Sequence, residues 1–429
     1  MMLLLPALSL LAAPLVEVVD DWSIRVTTDG GRYTLAVQPP TTVTVEAERY
    51  DQLPVYNPQA GGWARGPGLR NLRAQECTAP TYLYPETVRV TAGPEADARE
   101  LVRGTDYEID DLWGTFGRLE GGWPADQPVY VSYRSGKGRI DSVVIDAAGL
   151  PAIRTGYPHQ AVPQQAELLP GDVHVANLWI PGRLERLVPA SVLPLLETAY
   201  PEVAAPAVTV AEQLVPQALA KLRSGETLRL MAWGDSVTDA GYLPDPETQR
   251  WQVQFVSALK ERFPQANIEL INRYWGGYNT DAFMAAPPGS EHNYVERILG
   301  GQPDLVVSEF VNDAWMTPEV VEERYTKILN DFTAQNAEWI ILTPHYVRGD
   351  WMGLDRESDI DDDPRPYVKG VREFGARHSV AIADTSLRWG RLWRQGIPYS
   401  TLLSNAINHP DPRGMKLFVD ALMELFPAK

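Results

Sequence analysis

The chain contains a single cysteine, Cys77. No intrachain disulfide can form, and cysteine clusters that hold zinc are excluded, so stability has to come from packing. Positive charge is the second scarcity: 38 Lys and Arg stand against 56 Asp and Glu, a formal net charge of −18. That balance opposes binding to phosphate backbones and anionic bilayer surfaces, which need basic patches. Nucleic acid is not an expected partner. The N-terminal apolar run, MMLLLPALSLLAAP, is shorter than the roughly 20 residues that a membrane span requires, so stable membrane insertion is not expected. It has the length of a signal-peptide core, with Ala12-Ala13 near its end but no Lys or Arg ahead of it. Residues 1–14 are therefore expected to be an export signal without the usual basic start, and the protein to be secreted or periplasmic. A buried N-terminal strand is the alternative.

What is present points to a large folded protein. With 429 residues and 44% hydrophobic content, the chain exceeds one ordinary core and is expected to fold as two domains. From Trp22 to Gly182 short alternating runs (WSIRVTT, YTLAVQ, TVTVEAERY, ETVRVTA, QPVYVSYRS, RIDSVVIDA) are punctuated by Gly, Pro and Asp. This pattern predicts antiparallel strands joined by turns, and an all-β, sandwich-like accessory domain over 20–182. Residues 183–224 turn rich in Ala, Pro and Leu and are expected to be a connector that leads into a helix near Val215 to Leu222.

After Gly225 the period changes. The runs LRLMAW, IELI, DLVVSEF, EWIILT and VAIA alternate with segments of helical spacing, such as Trp251, Phe255, Leu259 and Phe263, or Val321, Tyr325, Ile328 and Phe332 behind Thr317-Pro318. A third such segment, RGMKLFVDALMELF, closes the chain. Continuous apolar strands alternating with helices predict a doubly wound parallel sheet covered on both faces, a three-layer α/β/α domain over 225–429.

Ligands of open parallel sheets bind outside the carboxyl ends of the strands. The residues following each apolar run are Gly234-Asp235-Ser236, then the segment from Asn272 through Gly276-Gly277-Tyr278, then Asn312-Asp313, then Pro344-His345, with Asn408-His409-Pro410 before the last helix. Singly, Ser236 reads as a helix N-cap, Gly277 as a turn residue, Asn312 as a cap and His409 as a surface histidine. Together, in order, they supply what acyl transfer needs: a nucleophile, a base within reach and donors for an oxyanion.

Gly234-Asp235-Ser236, Gly277, Asn312-Asp313 and His409-Pro410 resemble the four sequence blocks of the SGNH hydrolases, or GDSL esterases. The resemblance covers about 225–429 only. It implies that Ser236 is the nucleophile and His409 the base, that the backbone N–H groups of Ser236 and Gly277 and the Asn312 amide form the oxyanion hole, and that no metal or other cofactor is required.

Two positions depart from the family pattern. Ala406 stands three residues before the histidine, where an aspartate is usual, and Phe310 two residues before the asparagine, where glycine is common. A backbone carbonyl, Asn405, Asp411 or Asp384 are the candidates to orient His409, with Asp235 and Asp313 as further supporting groups. Substrate contact is expected at His345, Trp351 and Tyr278, although a structural histidine is the simpler role for His345. The acidic segment 348–366 reads as a lid, as a solvated loop or, less simply, as a calcium loop. The expected activity is hydrolysis of small acyl esters, acetyl groups on carbohydrate foremost. A lipase acting on longer chains and an inactive glycan-binding protein are the alternatives.

Overall fold

A computed structural model describes residues 14–201, 206–357, 360 and 362–427. All but the last residue of the expected leader, 1–14, lies outside the described residues. The chain divides into two units: the first runs to Thr198 and takes in Arg394–Ile397, and the second comprises Ala199–Trp393 and Pro398–Lys429.

The first unit is built from antiparallel sheets, as the alternating runs predict. Leu15–Asp20, Ser23–Thr28 and Gly31–Ala36 form one. Pro151–Arg154, Arg139–Ile145, Val173–Ile180 and Val192–Pro194 form a second. A third joins Thr41–Tyr50, Val129–Lys137 and Leu83–Thr91. Inward residues at period two, Ile24 and Val26 of the first sheet, bury against Val143, Ala176, Leu178 and Ile180 of the second. The strand Val192–Pro194 falls in the expected connector, so sheet structure continues beyond residue 182.

The second unit holds one parallel sheet. Its strands are β1 (Thr227–Gly234), β2 (Asn267–Tyr274), β3 (Leu305–Glu309), β4 (Glu338–Leu342) and β5 (Ala381–Ala383). They are ordered β2-β1-β3-β4-β5. Leu228 and the stretch from Leu230 to Trp233 are fully buried, the behaviour of a central strand covered on both faces. The main covering helices are α1 (Trp251–Arg262), α2 (Pro318–Ala334), α3 (Pro366–His378) and α4 (Pro412–Glu424).

Proline at the first turn starts three of these helices without costing a hydrogen bond, because that N–H has no helical partner. Met231 and Trp233 of β1 face Val321, Tyr325, Ile328 and Phe332 of α2 and Val371 and Phe374 of α3. Helices α1 and α4 pack against each other. The strand order reverses at β1, so a crevice opens between the carboxyl ends of β1 and β3.

Candidate active site

Strand β1 delivers the Gly-Asp-Ser turn to that crevice. A side chain at Gly234 has no room: its Cβ would sit 2.1 Å from Thr238 Oγ1 and 2.4 Å from the Glu309 carbonyl oxygen. Only glycine lets β1 run this close to β3. Asp235 then caps the one-turn helix Ser236–Asp239, its Oδ1 accepting the Val237 N–H at 3.0 Å. Its Oδ2 accepts the Asn312 N–H at 3.0 Å, which fixes the loop after β3 against the loop after β1.

His409 arrives from the turn before α4. Asn405 Oδ1 accepts three backbone N–H groups there, from Ile407, Asn408 and His409, at 2.8–3.0 Å. The His409 carbonyl accepts the Ser404 N–H at 2.6 Å, and Asp411 caps α4 through the Gly414 N–H. This places His409 Nε2 3.2 Å from Ser236 Oγ, hydrogen-bond reach for a nucleophile and its base.

The loop after β2 closes the third side. Gly277 takes φ +78°, and a Cβ at Gly276 would lie 3.8 Å from Ser236 Cβ. Asn312 Nδ2 donates to the Tyr278 carbonyl at 3.0 Å, which uses one amide hydrogen and leaves the other for a ligand. Ser236, Gly277 and Asn312, separate in sequence, thus come from three loops that share one strand edge.

Around the turn that carries Ser236 lies a set of fully buried carboxyl groups. Burial pushes the Asp235 carboxyl up to about 7, against the pull of the Val237, Asn312 and Val311 N–H groups. Burial, and then the charge of Asp235, hold Glu309 well above the ordinary carboxyl range. Glu309 receives the Thr238 hydroxyl at 3.3 Å on one oxygen, and its other oxygen has no hydrogen-bond partner among the described residues. The donors favour charge on Asp235 and the proton on Glu309. Asp313 is likewise raised to about 7 by burial, while accepting from Thr280 N and Oγ1 and from the Tyr325 hydroxyl. Glu309 lies in the run DLVVSEF, where a carboxylate among apolar residues is the one sequence signal of this buried group.

The remaining sequence candidates are placed as follows. Asp384 receives the Thr343 hydroxyl, Arg372 and the Leu387 N–H, and Asp411 receives Arg413 and the Gly414 N–H. Asn405 acts on His409 through the backbone. His345 is fully buried, and its Nε2 donates to the Asn408 carbonyl at 2.8 Å. Burial, with Arg365 and His409 adding to it, holds its pKa well below the ordinary imidazole value. A neutral His345 therefore supports the turn that carries His409.

The Tyr278 ring packs edge-on to Phe283 and His292, whereas Trp351 is exposed, with Arg348 over its ring. The Arg348 N–H donates to the Ile407 carbonyl at 2.8 Å and ties that loop to the His409 turn. A solvated loop does not describe Asp363, whose side chain is buried in an ion pair with Arg365. Part of the acidic run, Asp359 and Asp361, lies outside the described residues. Among the described residues no group of three or more His, Cys, Asp or Glu side chains is arranged to hold a metal ion.

Residues 232–417 match the model of the GDSL-like lipase/acylhydrolase family. The C-terminal unit carries a GDSL-like acylhydrolase domain. Solved structures similar to the hydrolase region include an acetylxylan esterase from Geobacillus stearothermophilus, at 18% identity and a TM-score of 0.37, covering 46% of this chain and 94% of that one. They also include an α/β hydrolase from the metagenome of Lake Arreo, Spain, at 20% identity and a TM-score of 0.37, with the same coverage. No curated relative matches the chain.

Proposed function

We propose that the hydrolase domain cleaves carboxylic esters by acyl transfer to Ser236. The observation that carries the proposal is the 3.2 Å approach of His409 Nε2 to Ser236 Oγ, beside a loop fastened to the nucleophile turn through Asp235. Ser236 Oγ forms a bond to the ester carbonyl carbon while its proton passes to His409 Nε2. The oxyanion receives hydrogen bonds from the Ser236 and Gly277 N–H groups and from the free hydrogen of the Asn312 amide. As the tetrahedral species collapses, the alkoxide leaves with the proton from His409. Water then repeats the sequence on the acyl-serine and releases the acid.

The substrate is a small acyl ester, acetyl on carbohydrate foremost. The support is that exposed indoles stand on the loops of the crevice: Trp275 beside Gly276-Gly277, Trp315 three residues after Asn312, and Trp351 on the loop tied to the His409 turn. Indole faces stack on the apolar faces of sugar rings, and such rings would sit beside the scissile ester. Export, expected from the N-terminal run, belongs to the same proposal.

Release of acetate from an activated acetyl ester by wild type and by Ser236→Ala, both shown to be folded, is the test. Turnover should fall by at least about a thousandfold in the variant. A wild type as inert as the variant, on longer acyl esters as well, would overturn the proposal. It would favour the glycan-binding alternative, for which Ala406 in place of an acid speaks.

A further inference from the structure

The nucleophile turn also carries a ring that covers the base. The short helix Ser236–Asp239 ends at Ala240, a fully buried residue held at φ +46°, with its N–H on the Ser236 carbonyl at 2.8 Å. Left-handed backbone at a residue with a Cβ is uncommon and costs about 1 kcal/mol, so surrounding structure must impose it. Its effect is to reverse the chain at once. Gly241 follows, the Leu243 N–H donates back to the Ala240 carbonyl at 3.1 Å, and Tyr242 is carried over His409. The phenol ring lies face to face with the imidazole, centroids 4.3 Å apart and planes within 3° of parallel.

We propose that Tyr242 is a positioning residue for His409, which fixes the imidazole plane by stacking and favours the imidazolium that forms when Ser236 gives up its proton. The inference rests on the assignment of His409 as the base. Three constraints then meet on one side chain: the backbone is set by Asn405, the Nε2 edge by Ser236 Oγ, and the face by Tyr242. Rotation about the Cβ–Cγ bond, which would turn Nε2 away from the hydroxyl, must break the stack. A neutral imidazole gains mainly dispersion from such a stack. An imidazolium gains more, because its charge rests over the negative face of the phenol. The contact is thus stronger in the proton-transferred state than in the resting one, and such an interaction acts on kcat rather than on KM.

The stack couples nucleophile and base mechanically as well. Ser236 and Tyr242 share one turn, so a shift of that turn moves the hydroxyl and the ring together and preserves their relation to His409. The usual acid position before the histidine is occupied by Ala406. A face contact of this kind supplies orientation that does not depend on a residue there.

The test uses the full chain with Tyr242→Phe, Tyr242→Leu and a series in which residue 242 is phenylalanine carrying progressively more ring fluorines. Fluorination drains the negative face while changing the shape little. Tyr242→Phe should stay within about twofold of wild type, and Tyr242→Leu should lower kcat by about three- to tenfold with KM almost unchanged, the range expected of one aromatic contact. Along the fluorinated series kcat should fall steadily. Equal kcat for the Leu and Phe variants, or a flat fluorinated series, would overturn the proposal, since a packing role alone predicts insensitivity to ring charge. The fluorinated series decides the matter even if the Leu variant does not fold. If wild-type turnover proves independent of Ser236, the assignment of His409 falls first and this inference falls with it.

Discussion

Asn312 spends its backbone N–H on Asp235 and one amide hydrogen on the Tyr278 carbonyl, so the direction of its remaining hydrogen is fixed before any ester arrives. Preorganised donors are effective because they need no reorientation when negative charge develops. Asn312→Ala should lower kcat on an acetyl ester by about a hundredfold or more while KM changes little. A comparable loss in kcat/KM arising wholly from KM would assign Asn312 to ground-state binding instead. Asp235→Asn probes the same donor from behind. An amide can accept only one of the two N–H groups that the carboxylate now receives, and its own NH2 would face the other. Stability should drop by about 1–3 kcal/mol in thermal or denaturant unfolding, with a loss of kcat because Asn312 is released; wild-type stability in the variant would argue against the bridging role. The meeting of Ser236, Gly277 and Asn312 at one strand edge was legible in the sequence because ligand sites of such sheets lie directly behind apolar runs. Tyr242 was not, because a ring stack between residues distant in sequence leaves no periodicity and no spacing to read.

Among the elements, the turn from Ser404 to Asp411 carries His409, and Asn405 gathers three of its backbone donors, beside the support of His345 and Arg348. Asn405 Oδ1 serves three backbone donors at once. Asn405→Ala leaves buried N–H groups without acceptors, so a loss of about 1–3 kcal/mol is expected, together with reduced kcat as His409 loses its anchor. A variant with native stability and full turnover would show that the turn is held elsewhere. Ala406 within this turn sits at φ +56°. Ala406→Gly should therefore raise stability by up to about 1 kcal/mol, less the entropy that glycine gives to the unfolded chain; a fall in melting temperature would count against strain at this position. The strands and helices of this domain were readable because each obeys a local rule: continuous apolar runs for buried strands, and Thr317-Pro318 as a cap ahead of a four-residue spacing. The acidic segment was not. A run of aspartates looks the same whether solvated or paired, and the burial of Asp363 against Arg365 depends on what packs around both.

On the scale of the whole molecule, carboxyl groups held by a basic partner contrast with carboxyl groups whose pKa burial raises. The two populations respond to pH in opposite directions. Asp172 and Glu322, hydrogen-bonded to Arg154 and His378, are held below the ordinary carboxyl value. Their contribution is present above that value and is lost as pH falls through their lowered folded pKa. Asp313, raised to about 7 by burial, behaves oppositely. Between about 4 and 7 the folded state binds a proton at Asp313 that the unfolded chain does not. The dependence of stability on pH is set by protons bound unfolded minus protons bound folded, so this contribution is complete below about 4, declines as pH rises and is gone above about 7. Asp313→Asn replaces the protonated acid by a neutral group of the same shape, which can still accept from Thr280. Near pH 4 the variant and wild type should unfold at similar temperatures. As pH rises to 8 the variant should gain on wild type by on the order of a few kcal/mol, with most of the change between pH 4 and 7. Since all exposed groups are common to both proteins, the difference between the two curves isolates Asp313 and the carboxyl groups that feel its charge. Parallel curves over that range would mean that Asp313 is ionised in the folded state despite its burial, with its hydrogen bonds to Thr280 and Tyr325 compensating the lost hydration.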